Sequence, residues 1–522
     1  MKLFFTLVFI LSIKITESIT PALILTPLIE GSKTEEARNL AIVDPLLFLN
    51  VTSYSGFLTV DKRYNSNLFF WYFPVPDKPV DKTPWIIWLQ GGPGATSLVG
   101  VFDEVGPFEY KKDLGLKKRE WSWCREYSMV FIDNPVGAGF SFTDSKEGFA
   151  RNMTMYSSQL YSAVQQLVVL FPELRSSELY VAGESYGGHY VPAFANKAVQ
   201  EMNEQGKLPF NLKGLIMGNP VLDRKGETNF TSVFYNWGLI DRQGVIAASS
   251  LQEQFIQAVQ KGNSSAAVEL RNQLLDKLQL IAFEPDTYNV LKNYGNLEDF
   301  TEYISLENVR EALHVGTIRF TFSNVSVHTY IVDDFLKPMS PIMTSVLEHC
   351  RVLIYCGQLD LTAPCVPAAE WRRAHWRWRG RDLFLRAPRT PWWYNNSRAG
   401  FVKSGGGFTE VLVQDSGHLA PIDKAEQVLQ LVSYFIRGLE LPMPPNYQID
   451  PKNTPEYNVP DGQKSVPDSA GTDYRTGLIV SVSVNVLLVM GLLVLVVFAV
   501  RWRRSNEDFF YSPLSDGILS MT

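Results

Sequence analysis

The chain has 522 residues, more than the roughly 100–200 residues of one minimal domain, so it holds one large domain with insertions or two domains. Hydrophobic residues make up 46% and charged residues 20%, so the chain can bury a core and is not disordered. The net charge of −6 argues against a nucleic-acid partner, and four cysteines are too few for a disulfide-built scaffold. No cysteine–histidine group has metal-ligand spacing, and we expect neither a metal nor another cofactor.

The amino terminus has the layout of a secretory signal peptide, which we assign to residues 1–18. Lys2 precedes a mostly apolar run from Leu3 to Ile13, and mostly polar residues follow. The run is too short to span a membrane, and the alternative is a buried first helix. Residues 19–44 are interpreted as a leader or loose arm in front of the body.

A second apolar stretch, residues 478–500, predicts a transmembrane helix. It contains no charged residue and no proline, and at about 1.5 Å per residue it matches a bilayer core of about 30 Å. The alternative is a buried hairpin of two strands. Because arginines begin directly at Arg501, we expect a cytoplasmic tail at residues 501–522 and a body that is lumenal or extracellular. Residues 441–477, rich in Pro, Asn, Asp and Ser, are interpreted as an extended stalk.

Possible glycosylation sites fit this single-pass topology. All Asn-x-Ser/Thr sequons precede the apolar stretch, and they begin at Asn50, Asn152, Asn229, Asn263, Asn324 and Asn395. The tail contains a tyrosine-x-x-bulky pattern at Tyr511, which is typical of endosomal and lysosomal cargo, although a plain disordered tail is the alternative. We therefore expect the secretory or endolysosomal pathway or the cell surface.

The body, residues 45–440, alternates short apolar runs with helix-like stretches. Runs that end at Gly, Asp or Asn-Pro predict buried strands over residues 85–89, 129–132, 179–182, 215–217 and 352–355. Apolar residues at helical spacing predict helices over 154–171 and 425–436. Strands separated by helices imply a mostly parallel sheet with helices on both faces. The more polar, helix-like stretch from about 221 to 334 is interpreted as a cap insertion over the functional edge of the sheet.

A candidate nucleophile lies in Gly183-Glu184-Ser185-Tyr186-Gly187. This segment follows a predicted strand and precedes a helical stretch at residues 190–199. In that setting Gly-x-Ser-x-Gly is a sharp, strained turn that exposes the serine at the carboxyl edge of the sheet. The alternative is a glycine-rich strand-to-helix turn without catalysis.

A serine hydroxyl needs a base, and the chain has six histidines. His418 fits best because it lies in a loop after a late apolar run, and in this type of fold the order is serine, acid, histidine. The acid should follow a strand between the two, which favours Asp360 after residues 352–355. His189 lies on a helix that directs it away from the serine, and His314 fits a packing role better.

Two cysteines, Cys356 and Cys365, flank Asp360. A disulfide between them is a hypothesis that would clamp the loop of the acid. Four cysteines allow three connectivities, so the pairing stays open.

These motifs resemble the serine carboxypeptidases of the α/β-hydrolase fold, and the likeness is closest to the vitellogenic-like branch. It covers about residues 45–438 and rests on segments 88–94, 102–107, 133–137, 139–141, 183–188, 190–192 and 417–418. The resemblance implies an α/β-hydrolase fold and an enzyme that releases C-terminal amino acids from peptides or proteins with a free C-terminus. It also implies that no cofactor is needed.

The resemblance assigns roles to individual positions. The catalytic triad of the family matches Ser185, Asp360 and His418. The oxyanion hole matches the backbone N–H groups of Gly92 and Tyr186, and the group that binds the terminal carboxylate of the substrate matches Gln90, Glu104 and Glu184. Close carboxyl groups raise each other's pKa, so the two glutamates would be protonated at acidic pH and could donate hydrogen bonds to that carboxylate. We therefore expect activity to favour acidic pH.

The sequence departs from the family pattern in the oxyanion loop, and two other functions are alternatives to a carboxypeptidase. Many relatives have Cys or Gly and then Ser-Ser after Gly94, whereas this chain has Ala95-Thr96-Ser97, so the oxyanion loop could be packed differently. An adhesion or receptor ectodomain could use the same fold without catalysis. An acyltransferase could use the same triad. The intact serine, acid and histidine argue against the first rival.

Overall fold

The computed structural model of the chain describes residues 20–444, and a central sheet organises them. Within this range the strands are β1 Tyr54–Asp61, β2 Ser66–Phe73, β3 Trp85–Leu89, β4 Phe108–Lys111, β5 Gly115–Lys118, β6 Ser128–Ile132, β7 Glu178–Glu184, β8 Asn211–Gly218, β9 Arg351–Gly357, β10 Thr390–Tyr394, β11 Ser397–Gly405 and β12 Phe408–Val413. Strands β4 and β5 form a separate antiparallel pair. The other ten described strands form one sheet.

The ten strands lie in the order β1-β2-β6-β3-β7-β8-β9-β12-β11-β10. The six from β6 to β12 in this order are parallel, and the strands at both edges are antiparallel. The carboxyl ends of the parallel strands therefore meet at one edge, where ligands bind in open α/β sheets. This arrangement is the predicted, mostly parallel α/β sheet.

Helices cover both faces of the sheet. In residues 20–444 they are α1 Thr26–Glu30, α2 Thr34–Leu40, α3 Met153–Leu170, α4 Gly187–Gln205, α5 Phe230–Asn236, α6 Arg242–Gln260, α7 Ser264–Ile281, α8 Phe300–Ile304, α9 Glu307–Ala312, α10 Val325–Tyr330, α11 Ser340–Val346, α12 Cys365–His375, α13 Arg381–Arg386, α14 Ala420–Asp423 and α15 Ala425–Arg437. Helices α3, α4 and α11 pack into the core on one face, and α15 packs into the core on the other.

The apolar runs form strands because both of their faces are buried. In β3, Ile87 faces the core with α3 and α4, whereas Ile86 and Trp88 face the core with α15. Continuous apolar sequence is what a strand between two helical layers requires. The runs predicted as strands at 85–89, 129–132, 179–182, 215–217 and 352–355 all lie inside observed strands.

Residues 219–350 connect β8 to β9 and contain helices α5 to α11. The predicted cap insertion, about residues 221–334, falls within this connection. Phe230, Phe255 and Leu274 belong to a separate small core formed by α5, α6 and α7. Leu361, the neighbour of Asp360, packs in the same small core, so the connection contacts the loop of the predicted acid.

The described part of the expected arm, residues 20–44, is not loose. The backbone N–H of Leu25 donates to the carbonyl of Phe57 at 2.9 Å, and the N–H of Phe57 donates to Leu23 at 2.9 Å. Leu25, Ala37 and Ala41 are fully buried in the core on the α3 face. This corrects the expectation, and the reason is that these apolar side chains find room beside β1 and α3.

The other predicted terminal segments lie mostly outside the described residues. The signal peptide at 1–18, most of the stalk, the transmembrane helix at 478–500 and the tail at 501–522 belong to this group. The first residues of the stalk are described, and the N–H of Trp393 on the edge strand β10 donates to the carbonyl of Pro442 at 2.8 Å. None of the helices within residues 20–444 has the length and apolar character that a membrane crossing needs.

One glycine, Gly357, lets neighbouring loops meet at the carboxyl edge of the sheet. Gly357 ends β9, and a Cβ there would lie 1.8 Å from the carbonyl oxygen of Gly417. The N–H of Leu359 donates to the carbonyl of Ser416 at 2.7 Å. The loop after β9 is thus packed directly against the loop after β12.

We expect Gly357→Ala to lower the free energy of unfolding by about 3 kcal/mol, because a methyl group would force the two loops apart. Urea unfolding measures the change. Gly407→Ala is the control, because its Cβ meets nothing within 4 Å and only its φ of +85° is unfavourable, at about 1 kcal/mol. Equal losses for both variants would contradict the proposed importance of this close approach.

Candidate active site

Ser185 occupies a strained turn between β7 and α4. Its φ is +57°, a left-handed value that non-glycine residues rarely adopt. The N–H of Ser185 donates to the carbonyl of Gly218 at 3.0 Å, and its carbonyl accepts from Val221 at 2.8 Å. The end of β8 therefore fixes the backbone of the serine, as a nucleophile turn requires.

The two other predicted triad residues are in direct contact. His418 Nδ1 lies 2.7 Å from Asp360 Oδ2, and both side chains are essentially inaccessible to solvent. The second oxygen of Asp360 accepts from the N–H groups of Thr362 at 2.7 Å and Ala363 at 3.0 Å. Asp360 follows β9 and His418 follows β12, so two adjacent parallel strands bring them together.

The other ring nitrogen of His418, Nε2, is buried and has no hydrogen-bond partner among the described residues. It therefore makes no hydrogen bond to Ser185 in this structure. Catalytic hydrogen bonds are often long before substrate binds. An imidazole whose Nδ1 faces a carboxylate keeps Nε2 available as a proton acceptor.

The loop predicted to form the oxyanion hole lies against the serine turn. Gly91 has no room for a side chain, because a Cβ would lie 2.6 Å from the backbone nitrogen of Tyr186. Gly92 follows in the same loop. The two predicted donor segments are therefore close to each other, which the absence of a side chain at Gly91 permits.

Two residues of the predicted oxyanion loop, Thr96 and Ser97, anchor it to Asp133. Thr96 Oγ1 and the N–H of Ser97 donate to Asp133 Oδ1 at 2.7 and 2.8 Å. Ser97 Oγ accepts from the N–H of Gln90 at 3.1 Å. Burial raises the pKa of Asp133 to about 6. Thr96 and Ser97 thus supply polar groups that fix the loop.

Gln90, Glu104 and Glu184 form one buried cluster. Gln90 Nε2 donates to Glu104 Oε1 at 3.2 Å and to Glu184 Oε1 at 3.1 Å. Trp88 Nε1 donates to Gln90 Oε1 at 2.9 Å and so fixes the orientation of the amide. The second oxygen of each glutamate, Oε2, is buried and has no partner among the described residues. Both oxygens are therefore available to a ligand.

The two glutamates favour their neutral forms. Burial raises the pKa of Glu104. Burial, and then the charge of Glu104, raise the pKa of Glu184 well above its ordinary value. Gln90 Nε2 bonds to one oxygen of each carboxyl group and so holds the two groups near each other. A protonated carboxyl group can donate a hydrogen bond to an anionic ligand.

Comparison with known proteins identifies the family. Residues 45–438 match the sequence profile of the serine carboxypeptidases. A venom serine carboxypeptidase of Apis mellifera is 38% identical over 79% of this chain and 90% of its own length. The vitellogenic carboxypeptidase of Aedes aegypti is 37% identical over 79% of this chain and 89% of its own length.

The chain belongs to the serine carboxypeptidase family. The predicted family and serine carboxypeptidase activity are therefore confirmed. A solved structure of the prohormone-processing carboxypeptidase Kex1 from Saccharomyces cerevisiae has a TM-score of 0.67 and 22% identity. The structural match covers 77% of this chain and 96% of the Kex1 chain. It confirms the α/β-hydrolase fold.

Asn219 lies beside the predicted acid, and the sequence analysis did not select it. Its Nδ2 donates to Asp360 Oδ2 at 2.7 Å, and its Oδ1 accepts from the N–H of Gly357 at 3.0 Å. It is fully buried and has a φ of +41°. In the sequence it is one residue of Gly218-Asn219-Pro220, which indicates only a strand end. The available signal was the position of a polar residue directly after a predicted strand.

The two histidines that the sequence analysis set aside lie elsewhere. His189 Nδ1 lies 2.9 Å from the carbonyl of Val221, and burial lowers the pKa of His189 to about 3. His314 Nδ1 lies 3.1 Å from Ser55 Oγ. No group of histidine, cysteine, aspartate and glutamate in residues 20–444 has the arrangement of a metal site.

All four cysteines of the carboxypeptidase are free thiols in the structure. The side chains of Cys356 and Cys365 contact each other, and Cys365 Sγ also donates to the carbonyl of Gly357 at 3.1 Å. A disulfide between them remains a prediction.

The sequons differ in accessibility. Five of the asparagines are exposed, namely Asn50, Asn152, Asn229, Asn263 and Asn395. Asn324 is half-buried, and its Nδ2 donates to the carbonyl of Gly137 at 2.8 Å. Because Nδ2 is the atom that carries an N-linked glycan, the structure disfavours glycosylation at Asn324.

We expect Asn219→Ala to lower kcat about 30-fold, because a hydrogen bond to a buried carboxylate is worth about 2 kcal/mol. KM should change little, because Asn219 contacts Asp360 and not the glutamate cluster. Steady-state kinetics on a peptide substrate measure both constants. Asn67→Ala is the control, since Asn67 is also fully buried and hydrogen-bonded but lies on β2. An unchanged kcat in Asn219→Ala would contradict this role.

Proposed function

We propose that Ser185, Asp360 and His418 form the catalytic triad of a carboxypeptidase that removes single amino acids from the C-terminus of peptides and proteins. The observations that carry the proposal are a strained serine turn, a buried Asp360–His418 pair and a buried cluster of carboxyl groups whose pKa values are raised, all on loops or strand ends at the carboxyl edge of the sheet. The serine turn and the Asp360–His418 pair supply the groups for acyl transfer. The carboxyl cluster can bind a free C-terminal carboxylate.

In the proposed reaction His418 takes the proton of the Ser185 hydroxyl through Nε2, and the serine oxygen attacks the last peptide carbonyl. Asp360 stabilises the imidazolium. The N–H groups of Gly92 and Tyr186 stabilise the oxyanion, where each donor is typically worth about 2.7–4 kcal/mol in the transition state. The terminal amino acid leaves with the proton from His418. Water, activated by the same histidine, then hydrolyses the acyl-enzyme.

Gln90, Glu104 and Glu184 bind the terminal carboxylate of the substrate in this proposal. The amide of Gln90 can donate at any pH, but it must exchange one of its bonds to the glutamates for the substrate, and the two glutamates donate only when they are protonated. Glu184 directly precedes Ser185, so one turn carries both a carboxylate-binding group and the nucleophile. This short spacing favours cleavage of the last peptide bond over internal bonds.

The location of the enzyme belongs to the same proposal. The apolar run at 478–500 and the arginines after it support a type I single-pass protein with its catalytic body in the lumen or outside the cell. The five exposed sequons support the same topology. The cap insertion, about residues 221–334 of the helical connection, is proposed to shape side-chain preference.

A fluorophosphonate probe should label Ser185, and Ser185→Ala should lose labelling and lower kcat on the order of a million-fold. The loss follows because no other group in the proposed mechanism attacks the carbonyl. Mass spectrometry of the labelled peptide and of the reaction products measures both effects. Full hydrolysis by Ser185→Ala would overturn the triad. Transfer of the acyl group to an amine acceptor, with no release by water, would indicate the acyltransferase instead.

We expect KM for a peptide with a free C-terminus to rise about tenfold for each pH unit above the pKa of the glutamate pair. The raised pKa values mean that the folded protein favours the protonated carboxyl groups, so both substrate binding and their contribution to stability are lost as pH rises. Glu184→Gln, which is neutral at every pH, should flatten the dependence.

The matched control for this measurement is Glu178→Gln. Glu178 is the first residue of β7 and Glu184 is its last, so the two glutamates lie at opposite ends of the same strand. Glu178→Gln should leave the pH profile of KM unchanged. An equally steep profile in wild type and Glu184→Gln would sink the proposed role of the glutamates.

A further inference from the structure

The loop that carries His418 is covered by a segment of the helical connection. We call residues 287–294 the strap. The N–H of His418 donates to the carbonyl of Tyr288 at 2.6 Å. The rings of Tyr288 and His418 lie 4.7 Å apart. At Gly417 a Cβ would lie 2.1 Å from the same carbonyl, so the strap rests directly on the histidine loop.

The strap also holds the loop of Asp360. The carbonyl of Thr287 accepts from the N–H groups of Leu361 at 2.9 Å and Thr362 at 3.1 Å. The N–H of Val290 donates to the carbonyl of Leu359 at 3.1 Å. One segment therefore bonds to the backbone on both sides of the buried Asp360–His418 contact.

A single carboxylate fastens the strap. Asp423, at the end of α14, has a side chain that is only 2% exposed. Its Oδ2 accepts from the N–H of Gly417 at 2.6 Å, from Asn289 Nδ2 at 2.9 Å and from Tyr294 Oη at 2.6 Å. Its other oxygen, Oδ1, pairs with the ammonium group of Lys292.

Asp423 thus joins the residue before His418 to three side chains of the strap. Burial, and then the hydrogen bond to Asp423, raise the pKa of Tyr294, so the phenol stays a donor to the carboxylate. Charge-assisted hydrogen bonds of this kind are stronger and more directional than neutral ones. An amide at this position would keep the shape but lose the negative charge and part of the acceptor capacity.

We propose that Asp423 is a positioning residue for catalysis, which clamps the strap onto the histidine loop and thereby fixes His418 against Asp360. This inference rests on the proposed function, in which His418 is the base. It gives the helical connection a second task besides substrate selection, because the connection supplies the strap that holds the base. Asp423 acts through Gly417 and the strap, and none of its hydrogen bonds or its ion pair is to the glutamate cluster.

The test compares Asp423→Asn with wild type in the full-length protein. We expect kcat for a peptide and the rate at which a fluorophosphonate labels Ser185 each to fall at least about tenfold, while KM changes by less than about twofold. The probe has no C-terminal carboxylate, so its rate reports the nucleophile and its base and not the carboxylate cluster. A partly unfolded variant would also lower kcat at constant KM, but it would lower the final extent of labelling and not the rate constant with which the folded molecules are labelled.

Asp415→Asn is the matched control. Asp415 lies in the same loop, but its side chain is 62% exposed and its nearest cation, Lys424, is 3.8 Å away. The control should keep the wild-type labelling rate. Tyr294→Phe removes one donor of the clamp and should give a smaller loss of the same kind, with KM again unchanged. Thermal unfolding of each variant identifies any that does not fold.

The outcomes separate the two proposals. A wild-type labelling rate and kcat in folded Asp423→Asn would overturn the clamp. If Ser185→Ala is inactive in the same assays, the proposed triad still stands. If Asp423→Asn does not fold, Tyr294→Phe decides, and a wild-type labelling rate in that variant overturns the clamp. Full activity of Ser185→Ala would overturn the proposed function itself, whatever the result at Asp423.

Discussion

The contact between Asp360 Oδ2 and His418 Nδ1, at 2.7 Å, is the interaction on which the surrounding architecture depends. The two residues are 58 positions apart and follow neighbouring parallel strands. Their loops can meet only because Gly357 leaves no side chain between them. Asn219 reaches in from β8, and the strap covers both loops. Catalysis needs this geometry to within a fraction of an ångström, and several independent elements therefore hold one contact.

A second constraint is the burial of Glu104 and Glu184. Burial of a carboxyl group is unfavourable for its charged form, so these side chains retain protons at a pH where exposed glutamates would be ionised. Gln90 joins them through its amide, and Trp88 fixes that amide. The cluster and the nucleophile share the turn after β7. In the proposed function, the nucleophile Ser185 and the carboxylate-binding Glu184 therefore lie one residue apart, and the expected preference for acidic pH follows from the burial of the glutamates.

Much of the fold could be predicted because its signals are local. Apolar runs such as 85–89 indicate strands buried on both faces, and Gly-x-Ser-x-Gly between a strand and a helix indicates Ser185. The expectation of a loose arm at 19–44 was wrong for its described part, since whether Leu25 and Ala37 are buried depends on space beside β1 and α3. Asn219 and Asp423 were missed because each resembles an ordinary turn or helix-end residue until its distant partners are known.

The sequence by itself determined which residue types are available, their order along the chain and the family to which the chain belongs. Those properties follow from short-range patterns and from motifs that survive in linear form. Only the tertiary structure decided that the two glutamates are buried around Gln90, that Asn219 bonds to Asp360 and which segment covers His418. The physical reason is that burial and hydrogen-bond geometry arise between residues that are far apart in the chain, and no local pattern encodes those distances.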